Sequence, residues 1–200
     1  VNIEGLENLA KACKHKGVVL IHISTDFVFD GAKSSLYSEK DDENPLSVYG
    51  ITKLKGENAI ARILDEHYIF RTSWLYYEYG NNFVKTMLSL GEERDKINLV
   101  CDQIGTPTYA EDLAAILLKI VDEDLSLFGL YHYSNEGVAS WYDFASSIFK
   151  FSTISTMIYP IMSDAYPIPA KRPAFSVMDK TKVKREFGIN IPNWRDSLKI

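Results

Sequence analysis

Cysteine, histidine and basic runs are all scarce in this 200-residue sequence. The two cysteines, Cys13 and Cys101, fit no metal or redox spacing, so free thiols in a reducing compartment are expected. His15, His22, His67 and His132 form no H-x-x-x-H pair, and no metal site is predicted. A formal charge of −5 without a long Lys/Arg tract excludes a basic footprint, so no nucleic acid is expected as a partner. The longest apolar runs, such as GVVLIHI from Gly17, fall far short of the roughly 20 residues that cross a bilayer. The first residues also lack the basic-then-apolar order of an export signal. No membrane partner is expected, and the predicted location is cytoplasmic. Repeats and low-complexity tracts are missing as well. What remains, 46% hydrophobic and 24% charged, describes a globular chain with a core sized for one domain or a domain plus a subdomain.

The chain alternates helical and strand patterns. NIEGLENLAKACKHKG sets Ile3, Leu6, Leu9, Ala10 and Cys13 on one stripe and ends on a glycine suited to a helix C′ position. VVLIHIS follows, a short apolar run without strict alternation, as expected of a parallel strand covered on both faces. The polar stretch TDFVFDGAKSSLYSEKDDENPLS then leaves the carboxyl end of that strand, the edge where open α/β sheets bind ligands. A helix is predicted from Leu46 to about Glu66, then a strand through HYIFRTSWLY, and a helix in GNNFVKTMLSLGEERD capped by Asn81 or Asn82. A strand from KINLV, a turn through Gly105 and Pro107, a periodic helix and a strand in GLYHYSNEG come next. SWYDFASSIFKF opens on Ser140, with Asp143 as a capping-box partner. The last part holds five of the seven prolines and reads as irregular, with one short helix near Asp179 to Phe187.

Within SVYGITKLKGE, Tyr49 and Lys53 stand four apart and so share one helix face. A phenol that ionises near pH ~10 becomes a usable proton donor near neutrality when a cation favours its phenolate. The spacing alone also occurs on solvated helix faces without function. The combination is more specific, because STDFVFDG ends the preceding strand and aims a second set of polar groups at the same place.

Together with RTSWLY, GNNFVKTM, DQIGTPTYAEDLA, GLYHYSNEG, SWYDFA and AKRPAFSVMD, these segments resemble the extended short-chain dehydrogenase/reductase family, and within it the reductases of sugar nucleotides. The resemblance implies an incomplete Rossmann-like α/β parallel sheet with helices on both faces, plus a smaller α/β substrate-binding subdomain. Residues 1–75 would be the Rossmann-like part and 76–200 mainly the substrate part, with about 104–134 returning to the sheet. It implies reduction, by NADPH or NADH, of the 4-keto group of a dTDP-linked 6-deoxy sugar.

The same resemblance assigns the residues. Tyr49 would protonate the substrate carbonyl oxygen as hydride arrives at its carbon, and Lys53 would lower the phenol's pKa and bond the nicotinamide ribose. Thr25 would hold the carbonyl oxygen, a position where a fixed donor counts heavily. Ser24 would lie on the cofactor side. Substrate contacts would come from Asp26, Phe27, Trp74, Gln103, Thr106, Pro107 and Arg172. Plain structural readings stand beside these: Thr25 capping a turn, Trp74 in the core, DQIGTPT as a tight turn, Arg172 in a surface salt bridge. The role of Asp26 is open. Phe27 stands where related dehydratases carry the acid that elimination needs.

This family begins with a strand and a G-x-x-G-x-x-G turn, which is missing here. The sequence therefore reads as a fragment, not expected to bind NAD(P)H tightly. A strand left without its neighbour would invite pairing with another chain, so a homodimer through that edge is expected. Two further readings stay open: a sugar-nucleotide epimerase, and a non-catalytic regulatory subunit resembling the methionine adenosyltransferase β-subunit.

Overall fold

Helix α1 (Glu4–Lys16) closes on Gly17, whose φ of 63° gives the left-handed cap expected of a glycine after the last apolar position. The computed structural model describes residues 2–166 and 170–198. From α1 the chain enters strand β1 (Leu20–Thr25), a 3-10 turn over Asp26–Val28, and a long loop to helix α2 (Val48–Ile63). The helix starts at Val48 because Ser47 caps it, its hydroxyl accepting from the Gly50 N–H at 3.1 Å. Strand β2 (His67–Thr72) is buried along its whole length.

The strand expected through HYIFRTSWLY is broken in two. After β2 the backbone turns at Trp74, with φ at 45°, and resumes as β3 (Leu75–Tyr76). Helix α3 (Phe83–Glu93) is capped by Asn82. Then come β4 (Lys96–Val100), β5 (Ile104–Gly105), β6 (Thr108–Tyr109), α4 (Ala110–Asp122), β7 (Gly129–His132), β8 (Ala139–Ser140) and α5 (Trp141–Phe151). Helix α5 opens with the Ser140 and Asp143 capping box.

Beyond α5 the structure is more regular than the prolines suggest. Strand β9 (Met157–Ile161) runs parallel to β4, with Pro160 opposite Leu99. β4 is its one strand neighbour among the described residues, and an edge strand tolerates the missing N–H of a proline. Helices α6 (Thr181–Phe187) and α7 (Trp194–Ser197) follow. The irregular stretch expected around residues 167–169 lies outside the described residues.

The main sheet has the order β1-β2-β7, all parallel. One face packs on α1 and α2 through Ala10, Leu20, Ile60, Leu64 and Ile69. The other packs on α4 and α6 through Phe70, Tyr131, Leu113, Ile116 and Phe187. Coverage on both faces explains why β2 lacks alternation. A third apolar cluster joins α3, α5, β4 and the buried Trp194 of α7. Among the described residues, no helix is long and apolar enough to cross a membrane.

Candidate active site

Thr25 ends β1, and its Oγ1 accepts the Phe27 N–H at 3.2 Å, which caps the following 3-10 turn. The first turn of α2 lies directly against that turn. At Gly50 an added Cβ would come within 2.2 Å of the Phe27 carbonyl oxygen, so this approach requires glycine. It brings the half-exposed Tyr49 ring edge-on to Phe27, with centroids 5.8 Å apart.

One turn along α2, the Lys53 Nζ donates to the Ile23 carbonyl at 2.6 Å and lies 3.3 Å from His22 Nε2. Burial lowers the Lys53 pKa from its ordinary value. Burial, and then the Lys53 charge, bring His22 down to about 4, so its ring is neutral at physiological pH. Tyr49, Lys53 and Thr25 therefore sit on two adjoining elements at the carboxyl end of β1.

A buried charged cluster stands behind them. Glu57, one further turn along α2, accepts from the Ser24 hydroxyl and from Arg71 of β2. Arg71 also reaches Glu43 in the long loop at 2.5 Å. Burial opposes the Arg71 charge, but hydrogen bonds and charge from Glu57 and then Glu43 hold its pKa above the usual value. The helix bearing Tyr49 and Lys53 is thus tied to both strands and the loop.

Two cavities open in the part of the chain that carries Trp141 and Arg172, the smaller of them reaching Asp26 and Phe27 after β1. The larger, about 650 Å³, is lined by apolar side chains including Phe83, Met87 and Trp141, with Arg94, Lys96 and Arg172 among its charged residues. The smaller, about 10 Å³, is the size of one water and is lined by Asp26, Phe27, Trp74, Gln103, Trp141, Arg172, Pro173 and Ser176. Gln103, Trp141 and Arg172 belong to both. The Trp74 and Trp141 indoles stack face to face, 3.6 Å between centroids and 11° apart in plane. The Arg172 guanidinium lies 5.9 Å from the Trp141 ring centroid.

Asp26 is almost wholly buried, and among the described residues its Oδ2 has no partner within hydrogen-bond geometry. Burial pushes its carboxyl up to about 6, against the opposing influence of the Ser176 and Thr25 hydroxyls. Five residues expected to contact substrate, Asp26, Phe27, Trp74, Gln103 and Arg172, therefore meet around one hollow. Three other expected site residues lie elsewhere. Ser24 is buried against Glu57, Thr106 is fully buried with its hydroxyl on the Gly137 carbonyl at 3.1 Å, and Pro107 is buried beside it.

The sequence pattern does not mark Trp141, Ser176 or Glu57 as site residues, and Arg71, expected to be delivered to a loop, stays inside β2. Glu57 was within reach of that reasoning, because 49, 53 and 57 follow one helix face. Trp141 and Ser176 reach the site through long-range packing, which leaves no local signal.

A parallel sheet covered on both faces, with a Tyr and a Lys one helical turn apart beside its carboxyl edge, defines a Rossmann-type α/β protein of the short-chain dehydrogenase/reductase class. More narrowly, the chain belongs to the RmlD substrate binding domain family, whose model matches residues 1–200. It is 42% identical to a dTDP-4-dehydrorhamnose reductase of Aggregatibacter actinomycetemcomitans, covering 100% of this chain and 71% of that protein. It is 45% identical to the enzyme of that name from Sinorhizobium fredii, covering 98% and 70%. Among solved structures, a dTDP-4-dehydrorhamnose reductase of Clostridium acetobutylicum superposes with a TM-score of 0.95 at 43% identity, over 100% of this chain and 70% of that one. The Bacillus anthracis reductase, solved in complex with NADP, gives a TM-score of 0.95 at 38% identity, over 99% and 70%.

Proposed function

We propose that this chain is the catalytic and sugar-nucleotide-binding part of a dTDP-4-dehydrorhamnose reductase. The reaction reduces the 4-keto group of dTDP-4-dehydro-6-deoxy-L-mannose, with NADPH or NADH, to dTDP-L-rhamnose. The observation that carries this reading is the likeness along the whole chain to reductases of that name, one of them holding NADP.

In this reading Tyr49 gives its proton to the ketone oxygen, Lys53 favours the resulting phenolate, and Thr25 holds the same oxygen. The bound cofactor supplies the hydride to the carbonyl carbon. Lys53 suits the ribose end of a nicotinamide cofactor, since an ammonium has three donors and the Ile23 carbonyl takes one. The glycine turn that would cradle a pyrophosphate has no counterpart in this sequence. Ser24 contributes from behind, through Glu57. The large cleft takes the nucleotide, with Arg172 suited to a diphosphate, and the small hollow marks the sugar end. Thr106 and Pro107 shape the DQIGTPT turn that presents Gln103.

Residues 1–75 form the nucleotide-binding part and 76–200 mainly the substrate part, with about 104–134 returning to the sheet, as the pairing of β7 with β2 supports. Two free cysteines fit a cytoplasmic setting. Among the described residues β1 has a ladder partner on one side only, which supports pairing with a second copy there. Sedimentation of this chain as a monomer would rule that pairing out.

The functional test is oxidation of NADPH or NADH by the complete protein with the 4-keto sugar nucleotide, repeated with Tyr49→Phe. Turnover by the native protein and its loss in the variant are expected. No turnover in the native protein would end the reductase reading, and undiminished turnover in the variant would end the role of Tyr49.

A further inference from the structure

Asp26 has no assigned task, yet it is a carboxyl group sealed almost completely from solvent without a cationic partner. Its Oδ1 accepts from Thr25 Oγ1 at 3.1 Å, and its Oδ2 has no hydrogen-bond partner among the described residues, in a residue that lines the small hollow. Thr25 Oγ1 already accepts from the Phe27 N–H. A hydroxyl has one hydrogen to give and two lone pairs to offer. If Asp26 is ionised, the Thr25 hydrogen must go to Oδ1 and none is left for a substrate. If Asp26 carries a proton, Oδ1–H donates to the second lone pair and the Thr25 hydrogen is free.

We propose that Asp26 is a positioning residue that donates its carboxyl proton to Thr25 Oγ1 and so leaves the Thr25 hydrogen for the ketone oxygen of the sugar. The inference rests on the role of Thr25 in the reductase reading above. The surroundings carry the protonated form to higher pH than an ordinary aspartate's. Burial is the leading influence on this carboxyl, with the Ser176 and Thr25 hydroxyls opposing it. The titratable and charged side chains on neighbouring elements include Tyr49 and Lys53 of α2 and Arg172 of the segment before Pro173, and none is among the leading influences on it, which are burial, the Ser176 and Thr25 hydroxyls and the Asp26 and Phe27 backbone. The Trp74, Trp141 and Gln103 side chains that complete the hollow carry no charge. A sugar docked over the hollow would exclude water, and its diphosphate would add negative charge; both would keep the proton on Asp26 to higher pH.

The experiment compares Asp26→Asn, Asp26→Ala and the native side chain in the complete protein, and reads the infrared carboxyl band in this chain. An asparagine amide donates to Thr25 Oγ1 at every pH. The expected result is a kcat within about threefold of native for Asp26→Asn, without the fall that native turnover shows as pH rises through the Asp26 ionisation. Asp26→Ala should lose on the order of 100-fold in kcat with KM little changed, the size seen when a donor to a developing oxyanion is lost. In the infrared, a protonated-carboxyl band absent from Asp26→Asn should persist above the ordinary aspartate range and shift in Thr25→Val.

Equal kcat losses in Asp26→Asn and Asp26→Ala would overturn the proposal, as would an unchanged pH profile in Asp26→Asn. If the native protein does not reduce the sugar nucleotide, the reductase reading fails by itself. The infrared band then decides the Asp26 and Thr25 bond: a carboxyl ionising at the ordinary value, or one indifferent to Thr25→Val, overturns it.

Discussion

Arg71 grips Glu57 as a fork: its Nε lies 3.2 and 3.1 Å from the two carboxylate oxygens and its Nη2 lies 2.6 Å from Oε2, with both side chains buried. Removing one member of such a pair strands the other charge away from water. Arg71→Met is expected to cost about 3 to 5 kcal/mol of folding stability, read by urea denaturation. Adding Glu57→Leu should recover part of that loss, because the stranded carboxylate is then gone. A double variant with the full sum of the two single losses would show that the two side chains stabilise the fold independently.

The carboxyl of Asp26 makes stability depend on pH in a direction opposite to the usual aspartate. Its folded pKa, about 6, lies above the ordinary 3.8. Below 3.8 the group is neutral in both states and has no effect. Between 3.8 and about 6 the unfolded chain gains by ionising it while the folded chain does not, and above about 6, where both ionise, the accumulated penalty stays constant. Asp26→Asn should therefore stabilise the protein at pH 8 by up to about 3 kcal/mol relative to native, and the advantage should vanish near pH 4. Paired denaturant titrations at the two values check it; an advantage independent of pH would contradict it.

Gly50 sets how closely α2 approaches the turn after β1. Gly50→Ala places a methyl 2.2 Å from the Phe27 oxygen, a backbone atom that cannot swing aside. A stability loss of about 1 to 3 kcal/mol is expected from the overpacking. Turnover should fall on the order of 100-fold as Tyr49 is displaced from the sugar end. Native kcat in this variant would mean that the close approach does not position the phenol.

Gly105 faces the Trp74 ring rather than backbone, with an added Cβ 2.8 to 3.0 Å from its atoms. In Gly105→Ala the indole yields and leaves its stack on Trp141. Such a contact contributes roughly 0.5 to 1.5 kcal/mol, so KM for the sugar nucleotide should rise by up to about tenfold with kcat less affected. A change in tryptophan emission should accompany it. Unaltered emission and KM would show that the stack survives.

Much of the fold was legible because its signals are local. Gly17, Asn82 and the Ser140 and Asp143 pair each mark a helix end through hydrogen bonds made within a few residues. The break at Trp74 was not legible, since a positive φ at a tryptophan is imposed by packing and no propensity announces it. Strand β9 was hidden by Pro160, which excludes a central strand yet is harmless at an edge. That Tyr49, Lys53 and Thr25 lie on adjoining elements could be read because one helix and one strand end carry them. The partnership of Trp74 with Trp141 spans 67 positions, from residue 74 to 141, and depends on tertiary structure alone. Thr106 shows the converse: its motif suggested a ligand contact, and its hydroxyl is taken up by the Gly137 carbonyl.

Trp141, stacked on Trp74, lines both a roomy compartment and a nearly filled one, and that part of the divider is side chain rather than backbone. A divider of that kind can be reshaped by a single substitution at position 74 or 141 while β4, α3 and the rest of the larger chamber keep their places. If the proposed assignment of the two cavities holds, sugar size and nucleotide grip are separately adjustable traits, open to selection or engineering one at a time.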